Sequence, residues 1–244
     1  MIRFVFLVAI IAGALSAAAG CGAGGGNQPG DVTPGDASTD HYPYLVYLPK
    51  DYNASKKVYP LVVYLHGSSA RGNHLALVKG AGLPRMAEDG AAFDFILVAP
   101  QCPTGKLWSS DDWSVPLLKE VAGKFRIDKD RIYLTGVSMG GGGVFDVAKQ
   151  HPGTFAALAP LCAWASDTFQ LCKLKDVPVW TFHGTEDHVV PVAETDQKVK
   201  VLKDCGGQVK YTRLKGEGHA IHFVYDPANE YRLLEWLLSH SRKK

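Results

Sequence analysis

Three things are scarce in this 244-residue chain: cysteine, excess charge of one sign, and long hydrophobic runs. Five cysteines are too few for a disulfide scaffold, and a chain of this length builds its core without one. Lys plus Arg number 26 against 24 Asp plus Glu, with no basic block before Arg242-Lys243-Lys244. That balance lacks the electrostatic footprint of a nucleic-acid binder. Neither H-E-x-x-H nor a paired Cys-x-x-Cys cluster occurs, so no metal and no cofactor is expected. Internal repeats are missing, as is any interval long enough for a separate lid domain. With 46% apolar and 20% charged residues, collagen-like and wholly disordered chains are excluded, leaving one globular α/β domain.

The beginning of the chain reads as an address. Met1-Ile2-Arg3 is a short positive region, and Phe4 to Leu15 is an apolar stretch broken only by Gly13. That is short of the roughly 20 residues that span a bilayer and fits the core of a secretory signal. Ala17-Ala18-Ala19 satisfies the small-x-small rule of an ordinary signal peptidase. Ala19-Gly20-Cys21 resembles a bacterial lipobox, with Ala18 where leucine is usual, and makes Cys21 the candidate lipidation site. Residues 1–20 are therefore expected to be a signal peptide of the lipoprotein type. Residues 21–40, rich in Gly, Pro, Asp, Ser and Thr, are expected to be a flexible tether between membrane and domain. Export follows: a membrane-anchored lipoprotein, or a periplasmic or secreted protein if the anchor is not made. Cys102, Cys162, Cys172 and Cys205 then face an oxidising compartment, their pairing unreadable from spacing.

From residue 41 to 244 strand and helix alternate. Tyr44–Leu48 alternates as an edge or hairpin strand. Unbroken apolar runs at 61–65, 95–99, 131–135, 155–161 and 177–182 suit parallel strands buried on both faces. Helices are expected at 75–88, 115–125, 139–149 and 193–205. A last strand at 208–214 precedes a closing helix at 227–240. The pattern implies an open, mostly parallel sheet covered on both faces.

Chemistry gathers at the C-terminal ends of those strands. Gly136-Val137-Ser138-Met139-Gly140 follows a strand and opens a helix, the context of a nucleophile elbow. Small residues flanking Ser138 allow the sharp turn, and Gly141-Gly142-Gly143 extends the run into the helix despite a cost near 1 kcal/mol each. Such a helix packs on its sheet with no side chain between. A serine nucleophile needs a base, and the base needs an orienting carboxylate, in the chain order Ser, acid, His. The loop His183-Gly184-Thr185-Glu186-Asp187-His188 supplies the acid, with Asp187 preferred and Glu186 beside it pointing away. Gly216-Glu217-Gly218-His219 supplies the base, His219, with His222 the alternative. His183 and His188 are read as orienting the acid loop or facing solvent, and His151 as structural. The oxyanion hole is expected from the Met139 N–H together with Ser68, or alternatively Gly67, in the loop His66-Gly67-Ser68-Ser69.

In order and wording these motifs resemble the α/β-hydrolases. The likeness is to the dienelactone hydrolase-like, phospholipase/carboxylesterase-like branch whose members are often labelled predicted peptidases. It rests on Leu65-His66-Gly67 with Arg71-Gly72, Ala99-Pro100-Gln101-Cys102-Pro103, Gly136 to Gly141, His151-Pro152, His183-Gly184 with Asp187 and Val190-Pro191, and Gly218-His219. It spans about residues 42–241 and implies an α/β-hydrolase fold with Ser138, Asp187 and His219 as triad. By the same resemblance the loop carrying Gln101, Cys102 and Trp108 borders the active site. Cys102 is not the nucleophile, since serine holds the elbow. Ala163-Trp164-Ala165 stands where such relatives tend to be glycine-rich, and Ala220-Ile221-His222-Phe223 where they commonly have aspartate and tryptophan. Trp164 and His222 are therefore candidates, with Gln101 and Trp108, for shaping the substrate pocket. The function expected is a serine hydrolase cleaving small or polymer-bound carboxylic esters through an acyl-enzyme. A peptidase using the same triad is one alternative, and a non-catalytic binding module on a hydrolase scaffold another. The sequence leaves the oligomeric state open.

Overall fold

The computed structural model describes residues 33–35, 41–164 and 166–243. The expected signal peptide, Cys21 and most of the linker lie outside these residues. Eight strands form one sheet in the order β1-β2-β4-β3-β5-β6-β7-β8. They are β1 Thr33–Gly35, β2 Tyr44–Tyr47, β3 Tyr59–Leu65, β4 Ile96–Pro100, β5 Ile127–Val137, β6 Ala157–Leu161, β7 Val179–Gly184 and β8 Val209–Leu214. From β4 through β3 to β8 every pairing is parallel, whereas β1–β2 and β2–β4 are antiparallel. This is the α/β-hydrolase architecture the motifs implied.

Both faces of the sheet are covered, which explains the unbroken apolar runs. In β3, Leu61, Val63 and Leu65 point into one core and Val62 and Tyr64 into the other, as a period of two requires. The first core is closed by α2 (Ser114–Lys124), α3 (Met139–Gln150) and α4 (Val192–Asp204), through side chains such as Leu117, Phe145 and Leu202. The second is closed by α1 (Gly82–Glu88) and α5 (Leu233–Leu238), through Leu83, Leu234 and Leu237. One disulfide joins Cys172, in a short 3-10 turn after β6, to Cys205 at the end of α4, with Cα atoms 5.6 Å apart. Cys102 and Cys162 are free and buried.

Three expectations need correction. The segment 75–88 is two pieces: a 3-10 turn at Leu75–Gly80 and then α1. The break falls at Gly82, whose φ is +61° and where a Cβ would overlap the Tyr64 ring. The closing helix shrinks from 227–240 to Leu233–Leu238. Asn229 Oδ1 accepts from the amides of Tyr231 and Arg232, and Asp226 Oδ1 from that of Ala228, so side chains take up amides that a helix would have used. Finally, Thr33–Gly35 of the expected flexible linker pairs with β2 as an edge strand. Pro34 is tolerated there because an edge strand does not need every N–H for the ladder.

Candidate active site

The strand-to-helix turn comes first. Between β5 and α3, Ser138 adopts φ 62° and ψ −120°, a conformation that costs on the order of 1–3 kcal/mol for a non-glycine residue. The surroundings hold it there. Its N–H donates to Leu161 O at 2.9 Å, and its carbonyl accepts from Gly142 N at 3.0 Å and Trp164 N at 3.1 Å. The glycine run has a steric cause at each step. A Cβ on Gly140 would overlap the Leu65 carbonyl at the end of β3, and one on Gly143 would stand 2.6 Å from three atoms of Trp108. The helix thus approaches the sheet with backbone against backbone, and the serine is lifted clear.

The loop after β7 carries the acid. Asp187 is buried, and its Oδ1 accepts the N–H groups of Val189 and Val190, both at 2.8 Å. Its Oδ2 accepts from His219 Nδ1 at 2.7 Å and faces His183 Nε2 at 3.2 Å. His183 is itself fully buried: Nε2 lies 2.9 Å from the Val190 carbonyl and Nδ1 2.8 Å from Thr195 Oγ1. A carbonyl can only accept, so Nε2 bears the proton and the Thr195 hydroxyl donates to Nδ1. The Asp187 carboxylate therefore meets four N–H groups. Burial alone would raise its pKa, yet the Val190 amide, His219 and the Val189 amide outweigh that and hold it below the ordinary aspartate value. Glu186 and His188 point to solvent.

His219 rises from the loop after β8 and is partly exposed, with its second nitrogen free for a reacting group. The thiol of Cys162 lies beneath the pair and donates to His219 O at 3.8 Å. Sulfur, carboxylate and imidazole ligand atoms come within 4.8 Å of one another, which invites a test for a metal site. The donor chemistry argues against one. Both Asp187 oxygens are already engaged by N–H groups, and burial pushes the Cys162 thiol up to about 12.

The loop after β3 forms the third side. His66 Nε2 accepts the Cys102 N–H at 3.0 Å, so its proton sits on Nδ1, which donates to Gly67 O at 2.6 Å. Burial lowers the His66 pKa to about 4, keeping the ring neutral. Trp108 Nε1 donates to His66 O at 3.1 Å, and Gln101 Nε2 donates to Ala70 O and His74 O, both at 2.9 Å. Gln101 and Trp108, expected to line the pocket, are instead buried beneath this loop and hold its shape. Cys102 is buried as well, its thiol raised to about 11 by desolvation.

The three loops enclose a cleft of about 420 Å³ onto which Ser138, His219, Gly67, Ser68 and His222 all open. A Cβ on Gly67 would lie 3.6 Å from that of Ser138, so the loop's amides run directly beside the serine. The Met139 N–H, at the first position of α3, is one of the helix's unpaired amides. Trp164 is 40% exposed and is not among the residues lining this cleft. Tyr64, Leu77, Val78, Gly80, Ala81 and Val189 also line the cleft. A single helix over 75–88, as the sequence suggests, hides the part of this lining that the 75–81 segment supplies. Gly80-Ala81-Gly82, two glycines within three residues, was the available signal of the break.

Fold and site together define an α/β-hydrolase. The family described as PETase, PET hydrolase-like, matches residues 114–231. The bifunctional acetylxylan esterase/xylanase XynS20E of Neocallimastix patriciarum is 26% identical over 166 residues, 65% of this chain and 23% of that protein. Feruloyl esterase B of Piromyces equi is 30% identical over 162 residues, 60% of this chain and 29% of its own. The chain thus spans less than a third of either curated relative. The crystal structure of a thermostable esterase superposes with a TM-score of 0.71 at 30% identity, covering 86% of this chain and 63% of that one. The fold is that of the α/β-hydrolases, and the proteins it resembles include esterases and a PET hydrolase-like family.

Proposed function

We propose that the protein is an exported serine hydrolase that cleaves carboxylic esters through Ser138, His219 and Asp187. The observation that carries this reading is the 2.7 Å Asp187–His219 hydrogen bond, opening on the same cleft as the strained Ser138. Ser138 Oγ attacks the ester carbonyl while His219 Nε2 takes its proton. The imidazolium is stabilised by Asp187 and passes that proton to the departing alcohol. Water, deprotonated by His219, then releases the acid and restores the serine. The amides of Met139 and of Gly67 or Ser68 receive the developing oxyanion, each worth on the order of 3 kcal/mol.

Short acyl esters, soluble or carried on a polymer, are the proposed substrates. Support comes from the open cleft and from relatives named for acetylxylan and feruloyl esters. Export, with a lipid anchor at Cys21, is proposed from the N-terminal pattern and is consistent with a Cys172–Cys205 disulfide, a bond that persists in oxidising compartments.

The test is turnover of p-nitrophenyl esters from acetate to decanoate, run beside Ser138→Ala and fluorophosphonate labelling. The expected result is loss of label and at least a 10³-fold loss of kcat in the variant. A folded protein that neither turns over esters nor takes the label would overturn the hydrolase reading. Incorporation of labelled fatty acid in a bacterial host, abolished by Cys21→Ser, checks the anchor separately.

A further inference from the structure

His222 lines a second space as well as the cleft that holds Ser138 and His219. This second compartment of about 400 Å³ lies beside the cleft, lined by Gly82, Arg85, Met86, Phe223 and Asp226. The two share Gly80, Ala81 and His222 as common wall. Building on the esterase reading, we propose that this second compartment binds the alcohol half of the ester, and that the alcohol it fits is ring-bearing and uncharged.

The side of the cleft follows from proton transfer. The leaving oxygen must come within hydrogen-bond reach of the His219 proton, so the alcohol extends from His219. Ala220 and His222, which follow His219 in the chain, line the catalytic cleft, and His222 and Phe223 line the compartment beyond. An alcohol held at His219 therefore runs over this short segment and into the second space. The acyl half, attached to the carbonyl at Ser138, is left the apolar part of the cleft lining that the second space does not share, Leu77, Val78 and Val137.

The character of the lining selects the ligand. Phe223 is 41% exposed and supplies an aromatic ring to the lining, and Met86 supplies an adaptable apolar contact. The two charged members are of opposite sign: Arg85, whose Nε pairs with Asp89 at 2.7 Å, and Asp226, whose Oδ1 accepts the Ala228 amide at 2.8 Å. Their charges offset, so the lining has no net charge with which to select a charged alcohol. Burial holds the His222 imidazole below its ordinary pKa, which favours a neutral wall. Two compartments of similar size suit a substrate with bulk on both sides of the scissile bond.

The test compares two acetates of primary alkyl alcohols, ethyl acetate and cyclohexylmethyl acetate, whose leaving groups are chemically alike. Wild-type protein should favour the cyclohexylmethyl ester in kcat/KM by about tenfold or more. Phe223→Ala should lower that ratio three- to tenfold, and Met86→Trp, which fills the compartment, should bring it close to one. Thermal unfolding of both variants monitors folding, which partly exposed positions should preserve. Ethyl butyrate against ethyl acetate reads the acyl side, and its ratio should not follow the alcohol ratio. A wild-type ratio near one, a ratio indifferent to both substitutions, or variants that shift acyl instead of alcohol preference would each overturn the proposal. Absence of any ester turnover together with absence of label at Ser138 is a different failure. It removes the esterase reading and this inference with it.

Discussion

His66 shows how a single side chain couples the site to stability. Its ring is buried, accepts one backbone N–H and donates to one carbonyl, an arrangement available only to the neutral form. Burial sets its folded pKa near 4, against about 6.5 in an unfolded chain. The unfolded chain therefore binds more protons between those values, and stability falls as pH falls through that window. The full stabilisation is present above pH 6.5, and roughly 3 kcal/mol of it is withdrawn by pH 4. Urea unfolding at pH 7.5 and at pH 4.5 should show this slope, and His66→Gln should flatten it while lowering stability at neutral pH. An equal slope in wild type and variant would assign the acid sensitivity elsewhere. At the same scale Ser138, Asp187 and His219 were legible in the chain as candidates, because loop position and order restrict them. What His183 does was only half legible. Its place beside Asp187 in sequence suggested an orienting role, but the chain from Thr195 through His183 to Asp187 depends on α4 packing against the loop.

At the scale of the element, α3 sets local preference against packing. Alanine is favoured over glycine in a helix by about 1 kcal/mol, so Gly140→Ala should stabilise α3 considered alone. In the folded protein its methyl would overlap the Leu65 carbonyl, which is backbone and has little room to yield. Overpacking of this kind costs about 1–3 kcal/mol, and the helix would have to move with Ser138 at its N-terminus. Gly140→Ala is expected to lower both stability and kcat/KM, measured by denaturant unfolding and p-nitrophenyl acetate turnover. A more stable, fully active variant would refute the close approach. Strands proved the most legible elements, because burial on both faces writes itself as an unbroken apolar run. Helix limits were less legible where short-range side-chain hydrogen bonds at Asp226 and Asn229 compete with the helix, and where Gly82 turns the chain.

Across the whole molecule, the disulfide ties the segment after β6 to the end of α4 over a separation of 33 residues. Closing a loop of that size removes unfolded-state entropy worth about 3–4 kcal/mol in the chain-entropy account. Reduction, or the pair Cys172→Ser with Cys205→Ser, should lower the unfolding free energy by up to that amount. Ester turnover at 25 °C should be largely retained, since neither cysteine lines the cleft. Unchanged stability would mean that the bridge constrains nothing the rest of the fold does not already hold. The pairing itself was beyond sequence reasoning. Four cysteines allow three connectivities, and which two meet depends on where a 3-10 turn and a helix end come together.

By itself the sequence determined the parallel sheet and the sharp strand-to-helix turn at Ser138, and it holds the pattern from which export is proposed. These are local properties: apolar periodicity, glycine where a turn or close contact demands it, and charge next to a short apolar run. Tertiary structure alone decided that Gln101 and Trp108 brace the loop after β3 from below. It also decided that Cys172 meets Cys205, and that a second compartment opens beyond His222. Each of these brings together residues tens of positions apart, or a space between two chain segments. Such distances and volumes are set by how the elements pack, and no run of neighbouring residues encodes them.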